Sequence, residues 1–135
     1  MVAGENARLA SLSAAAPLAK PHFTDDAEFS QQLGTFGADQ LNWILGLNPY
    51  DSCKLYGVGH NNVDYLFFDS WEFTNARGGI SSGITSGFRD EDDIDFNLTY
   101  KQTGAGNDWR WQEQWLPHDC WYLLAVSAQA RAAKP

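Results

Sequence analysis

The stretch Asn107 to His118, "NDWRWQEQWLPH", sets one carboxylate, Glu113, among Trp109, Trp111 and Trp115, and Trp121 follows six residues after Trp115. A glutamate enclosed by indole rings is desolvated, which raises its pKa and holds it protonated near neutral pH. A protonated carboxyl in an apolar pocket is the state a general acid requires. Indole faces also suit sugar rings, whose C–H-rich faces are apolar while their rim hydroxyls seek polar partners. The competing reading is plain packing, because tryptophan is usually buried: the rings fill a core and Glu113 is a surface bystander. The residues alone leave both open.

Other chemistry is sparser. The run "RDEDDIDFN", Arg89 to Asn97, carries five acids in the six positions from Asp90 to Asp95. Oxygen ligands for calcium are its functional reading, but it lacks the glycine-containing spacing of an EF-hand loop, and a solvated acidic loop is the simpler expectation. His22, His60 and His118 show no metal-binding spacing. His22 is expected at the surface, whereas His60 and His118 fall in the Gly-rich and Trp-rich segments, where a structural hydrogen bond competes with a functional role. No phosphate loop, dinucleotide fingerprint or Gly-x-Ser-x-Gly elbow is present. Cys53 and Cys120 are far apart and form no CxxC pair, so a free buried thiol and a bridge are both open.

These residues must be positioned by a chain of 135 residues, long enough for one domain with a real core. A hydrophobic fraction of 44% and 14% aromatic residues fit a globular protein. The net charge of −8 argues against nucleic acid or an anionic membrane surface as partner, since both require clustered Lys and Arg. No apolar run approaches the ~20 residues of a membrane span. The Ala-rich start has no Lys or Arg before Arg8, and its apolar part is broken by Ser and Pro, so it makes no credible signal peptide. We read residues 1–23 as a tail or the end of a preceding helix.

From Thr24 to Leu45 the chain reads as an amphipathic helix. Thr24, Asp25 and Asp26 offer capping oxygens, and Asp25 with Glu28 has capping-box spacing. Phe29, Leu33, Phe36, Leu41, Ile44 and Leu45 recur at near-helical spacing, and Gly46 with Asn48-Pro49 ends the element. From Pro49 to Asn107 lies a Gly-rich stretch without sustained period, read as loops lining a site rather than a second core. A final helix begins near Pro117, with Trp121, Leu124, Ala125 and Ala128 on one stripe. The class is mainly α.

The segment "LNWILGLNPYDSCKLYGVGHNN", Leu41 to Asn62, resembles glycoside hydrolase family 9, in which a helix ends in a Trp-x-Leu-Gly-x-Asn-Pro pattern before a Gly-aromatic-Gly loop. "GGISSGITSGF" resembles the Gly-rich loop that follows, and "NDWRWQEQWLPHDCWYLLAV" falls where the family's last active-site segment precedes its final helix. The resemblance spans roughly Asp25 to Val126. It implies that residues 24–135 are the C-terminal portion of an (α/α)6 barrel, the six-hairpin glycosidase type, with long irregular active-site loops. It implies O-glycosyl hydrolysis of a cellulose-type β-glucan by inversion, Glu113 being the general acid and a second carboxylate about 6.5–9.5 Å away activating water. Substrate contacts are expected from Trp109, Trp111, His60, Asp69, Trp71 and His118. No cofactor is implied, with calcium open, and the resemblance suggests a secreted or periplasmic enzyme.

Three departures bear on this expectation. Gln112 and Gln114 flank Glu113, where the family has Asn before and Val-Ala after it. "LFFDSWE" replaces a basic substrate-binding motif with Asp69, Trp71 and Glu72. Nothing in residues 1–23 resembles the Asp-rich segment carrying the family's base, so the chain is expected to be inactive without a missing N-terminal part of the catalytic domain, its expected partner. The alternatives are a carbohydrate-binding module without catalysis and a structural α-domain with a Trp-rich core.

Overall fold

A computed structural model describes residues 4–63, 76–86, 94–95 and 112–133. These residues form a mainly helical architecture of three long helices. Helix α1 spans Glu5–Ala19, α2 spans Ala27–Ile44 and α3 spans Leu116–Ala132, with a 3-10 turn at Lys20–His22. Strands β1, Thr85–Ser86, and β2, Ile94–Asp95, pair antiparallel in the register Thr85 with Asp95 and Ser86 with Ile94. No described helix is long and apolar enough to cross a membrane.

Most of residues 1–23 belong to α1, which packs against both α2 and α3. Its sequence, ENARLASLSAAAPLA, explains this: alanine has the best helix propensity and the smallest side chain that still excludes water. Ala10, Ala14 and Ala16 are buried, so the neighbouring helices come close to its backbone. The tightest point is Gly37 on α2, whose carbonyl accepts from Ser13 Oγ at 2.7 Å. Gln129 of α3 donates to the Ser13 carbonyl at 3.3 Å, completing a pin through all three helices. A Cβ on Gly37 would stand 2.6 Å from Gln129 Nε2 and 3.0 Å from Ala16 Cβ.

Helix α2 starts three residues later than the sequence suggests. Asp26, not Asp25, is its N-cap, accepting from the Phe29 amide at 2.9 Å. The cap satisfies one of the orphan amides of the first turn. Of the apolar stripe, only Ile44 is buried, while Phe29 and Phe36 are exposed. Helix α3 departs in the same sense. It buries His118, Ala125 and Ala128 and leaves Trp121 and Leu124 exposed. The cause is α1: its alanine surface is matched by the small-residue face of α3, not by the face carrying the bulky side chains.

The irregular middle is wired by side-chain amides. Asn48 Nδ2 donates to the carbonyls of Trp43 at 2.8 Å and Ser52 at 2.9 Å, while its Oδ1 accepts from the Tyr50 amide. Asn62 donates to Cys53 O at 2.8 Å and accepts from the Gly57 amide at 3.1 Å. The stretch at Ile80–Ser82 then lies between two others, bridged to Leu55 on one side and to Gln114 on the other. Ala10, Ile44 and Ile80 form the core beneath it, with Leu9, Leu55 and Tyr122 packed around them.

Candidate active site

Glu113 lies between Gln112, which is helical, and the start of α3 at Leu116. Gln114 bridges to Ser81 and its Oε1 accepts from the Ala76 amide at 3.0 Å. Ser82 Oγ donates to the Glu113 carbonyl at 3.0 Å. The backbone that carries Glu113 is therefore clamped from both sides.

Its side chain is 1% exposed. Burial pushes its carboxyl above the ordinary glutamate range, partly opposed by the hydrogen bond from Trp115. That bond runs from Trp115 Nε1 to Glu113 Oε2 at 2.5 Å. Trp115 itself is 44% exposed, so an indole lies between the buried acid and solvent.

Around Glu113 the chain gathers buried polar groups from distant segments. Asn6, in the first turn of α1, donates through Nδ2 to Ser81 O at 2.8 Å, and its amide donates to Ser82 O at 3.0 Å. Gly83 makes this contact possible. Its φ of +100° is one L side chains rarely adopt, and a Cβ there would stand 2.5 Å from Asn6 Oδ1. His118, in the first turn of α3, lies under Gly4, where a Cβ would stand 3.0 Å from its Nε2. The His118 ring is 6.3 Å from that of Trp115. Burial pushes the His118 imidazole down, opposed by Trp115 and Asp119. Beside it, Asp119 Oδ1 accepts from the Ile80 amide at 2.8 Å, while burial raises its carboxyl.

Among the described residues several buried side-chain atoms here meet no hydrogen-bond partner: Asn6 Oδ1, Ser81 Oγ, both amide atoms of Gln112 and both ring nitrogens of His118. A buried polar atom left unpaired costs about 1–3 kcal/mol. Native cores keep such atoms few, and a cluster of them calls for an explanation beyond packing. A Trp-rich core with Glu113 as a bystander does not supply one, since Glu113 is itself buried among them.

The sequence-derived site residues fall into three groups. Glu113 and His118 share this neighbourhood, linked through Trp115. His60 is exposed, and its Nε2 pairs at 2.8 Å with Asp51 Oδ2 rather than with either of them. Trp109, Trp111, Asp69 and Trp71 lie outside the described residues, as does most of the acidic run; within that run Asp95 and Ile94 form β2. Among the described residues no group of three or more His, Cys, Asp or Glu is placed to hold a metal ion. Cys53 and Cys120 are both free thiols, the first buried and the second exposed.

Asn6, Ser81, Ser82 and Gln112 carry no motif, and sequence reasoning did not single them out. Lys54 is a further surprise. It is 2% exposed, its Nζ donates to Ser52 Oγ at 3.0 Å, and its backbone carbonyl accepts from the Ser81 amide, directly behind the Glu113 neighbourhood. Against known proteins, no family model matches this chain and no curated protein matches it.

Proposed function

We propose that this chain carries the general acid of an inverting O-glycosyl hydrolase acting on a cellulose-type β-glucan, and that Glu113 is that acid. The observation that carries the reading is a carboxyl 1% exposed, pushed toward its protonated form by burial, with a half-exposed indole bonded to it. A general acid must hold its proton at working pH until the leaving oxygen takes it, and desolvation provides that. The aromatic face at its mouth suits a sugar ring.

In this reading the three helices are part of an (α/α)6 barrel. The exposed Phe29 and Phe36 of α2, and Trp121 and Leu124 of α3, support it: in such a barrel each helix is covered on more than one side, and these faces meet neighbouring hairpins. The base is a second carboxylate across the scissile bond. In this reading the base comes from an Asp-rich segment that residues 1–23 do not resemble, and this chain alone is expected to bind sugar without hydrolysing it.

The test is titration of the folded chain with soluble β-1,4-gluco-oligosaccharides, followed by tryptophan fluorescence. A saturable change, retained in Glu113→Gln, supports a sugar site. A flat titration sinks it. Hydrolysis of a β-1,4-glucan by the wild-type chain that persists in Glu113→Gln removes Glu113 from the role of acid.

A further inference from the structure

We propose that Trp115 is a positioning residue that decides which oxygen of Glu113 carries the acidic proton, an inference resting on the reading of Glu113 as a general acid. The arrangement follows from register. Glu113 and Trp115 are two apart, on either side of the bridge residue Gln114, and Trp115 itself has extended backbone, which lets its indole reach back to the Glu113 carboxyl. The Gln114 side chain is held by the Ala76 amide and the Glu113 carbonyl by Ser82 Oγ, so neither backbone nor register can slip. The indole N–H is thereby brought to Glu113 Oε2.

An indole nitrogen is a donor only. A neutral carboxyl has one hydroxyl oxygen and one carbonyl oxygen. A hydroxyl oxygen is a weaker acceptor than a carbonyl oxygen, so a proton on Oε2 would weaken the bond from the indole. The neutral acid is therefore stabilised with Oε2 as carbonyl and its proton on Oε1. Among the described residues no other side chain bonds to this carboxyl, so Oε1 is the oxygen left to donate. After the proton leaves, the same indole N–H bonds the carboxylate as a charge-assisted donor. Trp115 thus fixes the exit point of the proton and stabilises what remains, without touching the reacting atoms. Among the described residues the titratable groups beside the pair are His118 and Asp119 on α3, with Lys54 behind Ser81.

The experiment uses the whole wild-type chain, labelled with 13C at the glutamate carboxyls and 15N at the indoles, and titrated by NMR. The Trp115 indole resonance is expected to move with the same midpoint as the Glu113 carboxyl, and to lose that transition in Glu113→Gln, which separates it from His118 and Asp119. An indole resonance that stays still through the Glu113 midpoint overturns the proposal, and this readout requires no Trp115 variant to fold. In Trp115→Phe the Glu113 midpoint should rise by ~1 pH unit, the scale of a lost charge-assisted hydrogen bond. The C=O stretch of the protonated acid should rise as well, because Oε2 loses its donor. A folded Trp115→Phe with both values unchanged also overturns it. None of these readouts needs sugar. A flat oligosaccharide titration together with co-titration of indole and carboxyl would refute the glycosidase reading and leave the proton placement standing.

Discussion

Lys54 offers the sharpest test of the packing behind the site. Its side chain is 2% exposed, and burial lowers its pKa from 10.5 to about 7, with Cys53 opposing slightly. Between about pH 7 and 10.5 the unfolded chain holds a proton on this lysine that the folded chain has lost. Folding then releases a proton, so stability rises with pH through that window and is flat in this group below it. The slope is about 1.4 kcal/mol per pH unit, and the whole window amounts to roughly 5 kcal/mol. Lys54→Met keeps an unbranched side chain of similar length and removes the titration. Ser52 Oγ loses a donor but still donates to the Asn61 carbonyl at 2.6 Å. Urea unfolding followed by tryptophan fluorescence, from pH 6 to 10, should show the wild-type free energy climbing relative to the variant. Other groups titrate in this range, but they are common to both chains, so the difference isolates Lys54. Parallel curves would mean that Lys54 keeps its proton in the folded chain through this range, and the burial argument would fail.

Three further outcomes are expected. Gly83→Ala should destabilise the chain by about 2–4 kcal/mol in urea unfolding, combining an unfavourable positive φ with a Cβ driven into Asn6. Asp119→Ala should cost about 1–3 kcal/mol by leaving the Ile80 amide unpaired, with faster hydrogen exchange at that amide, whereas Asp119→Asn, which keeps an acceptor, should do less. For Glu113, whose carboxyl burial raises above the ordinary value of 4.5, wild-type stability should fall as pH climbs above that value, because the folded chain must then give up a proton it holds more tightly than the unfolded one. Glu113→Gln should flatten that fall in thermal unfolding between pH 4 and 8.

Much of the helical frame was legible because its signals are local. The acid-rich start of α2 and Pro117 in the first turn of α3 each act within a few residues, whereas residues 1–23, read as a tail or the end of a preceding helix, hold the 15-residue α1. The cap at Asp26 rather than Asp25 shows the limit of such reading, since neighbouring side chains offer the same chemistry and packing chooses between them. The buried faces were less legible. Periodicity marked Trp121 and Leu124 on α3 and Phe29 and Phe36 on α2 as inward, yet these are exposed while small residues face α1. Periodicity reports that a face is apolar, not which neighbour covers it.

The sequence by itself determined that the chain is mainly helical, that one carboxylate stands among its tryptophans, and that a Gly-rich stretch without sustained period separates α2 from α3. Each depends on composition or on spacing within a short window. Only the tertiary structure decided that Glu113 is buried, that Trp115 bonds one of its oxygens, and that polar atoms of Asn6, Ser81, Gln112 and His118 lie buried without a partner in the same neighbourhood of the described residues. Lys54 behind them had no sequence signal at all. The reason is physical: solvation, and with it the protonation of a carboxyl, an imidazole or an ammonium, depends on which atoms surround the group, and here those atoms come from chain segments far apart in sequence.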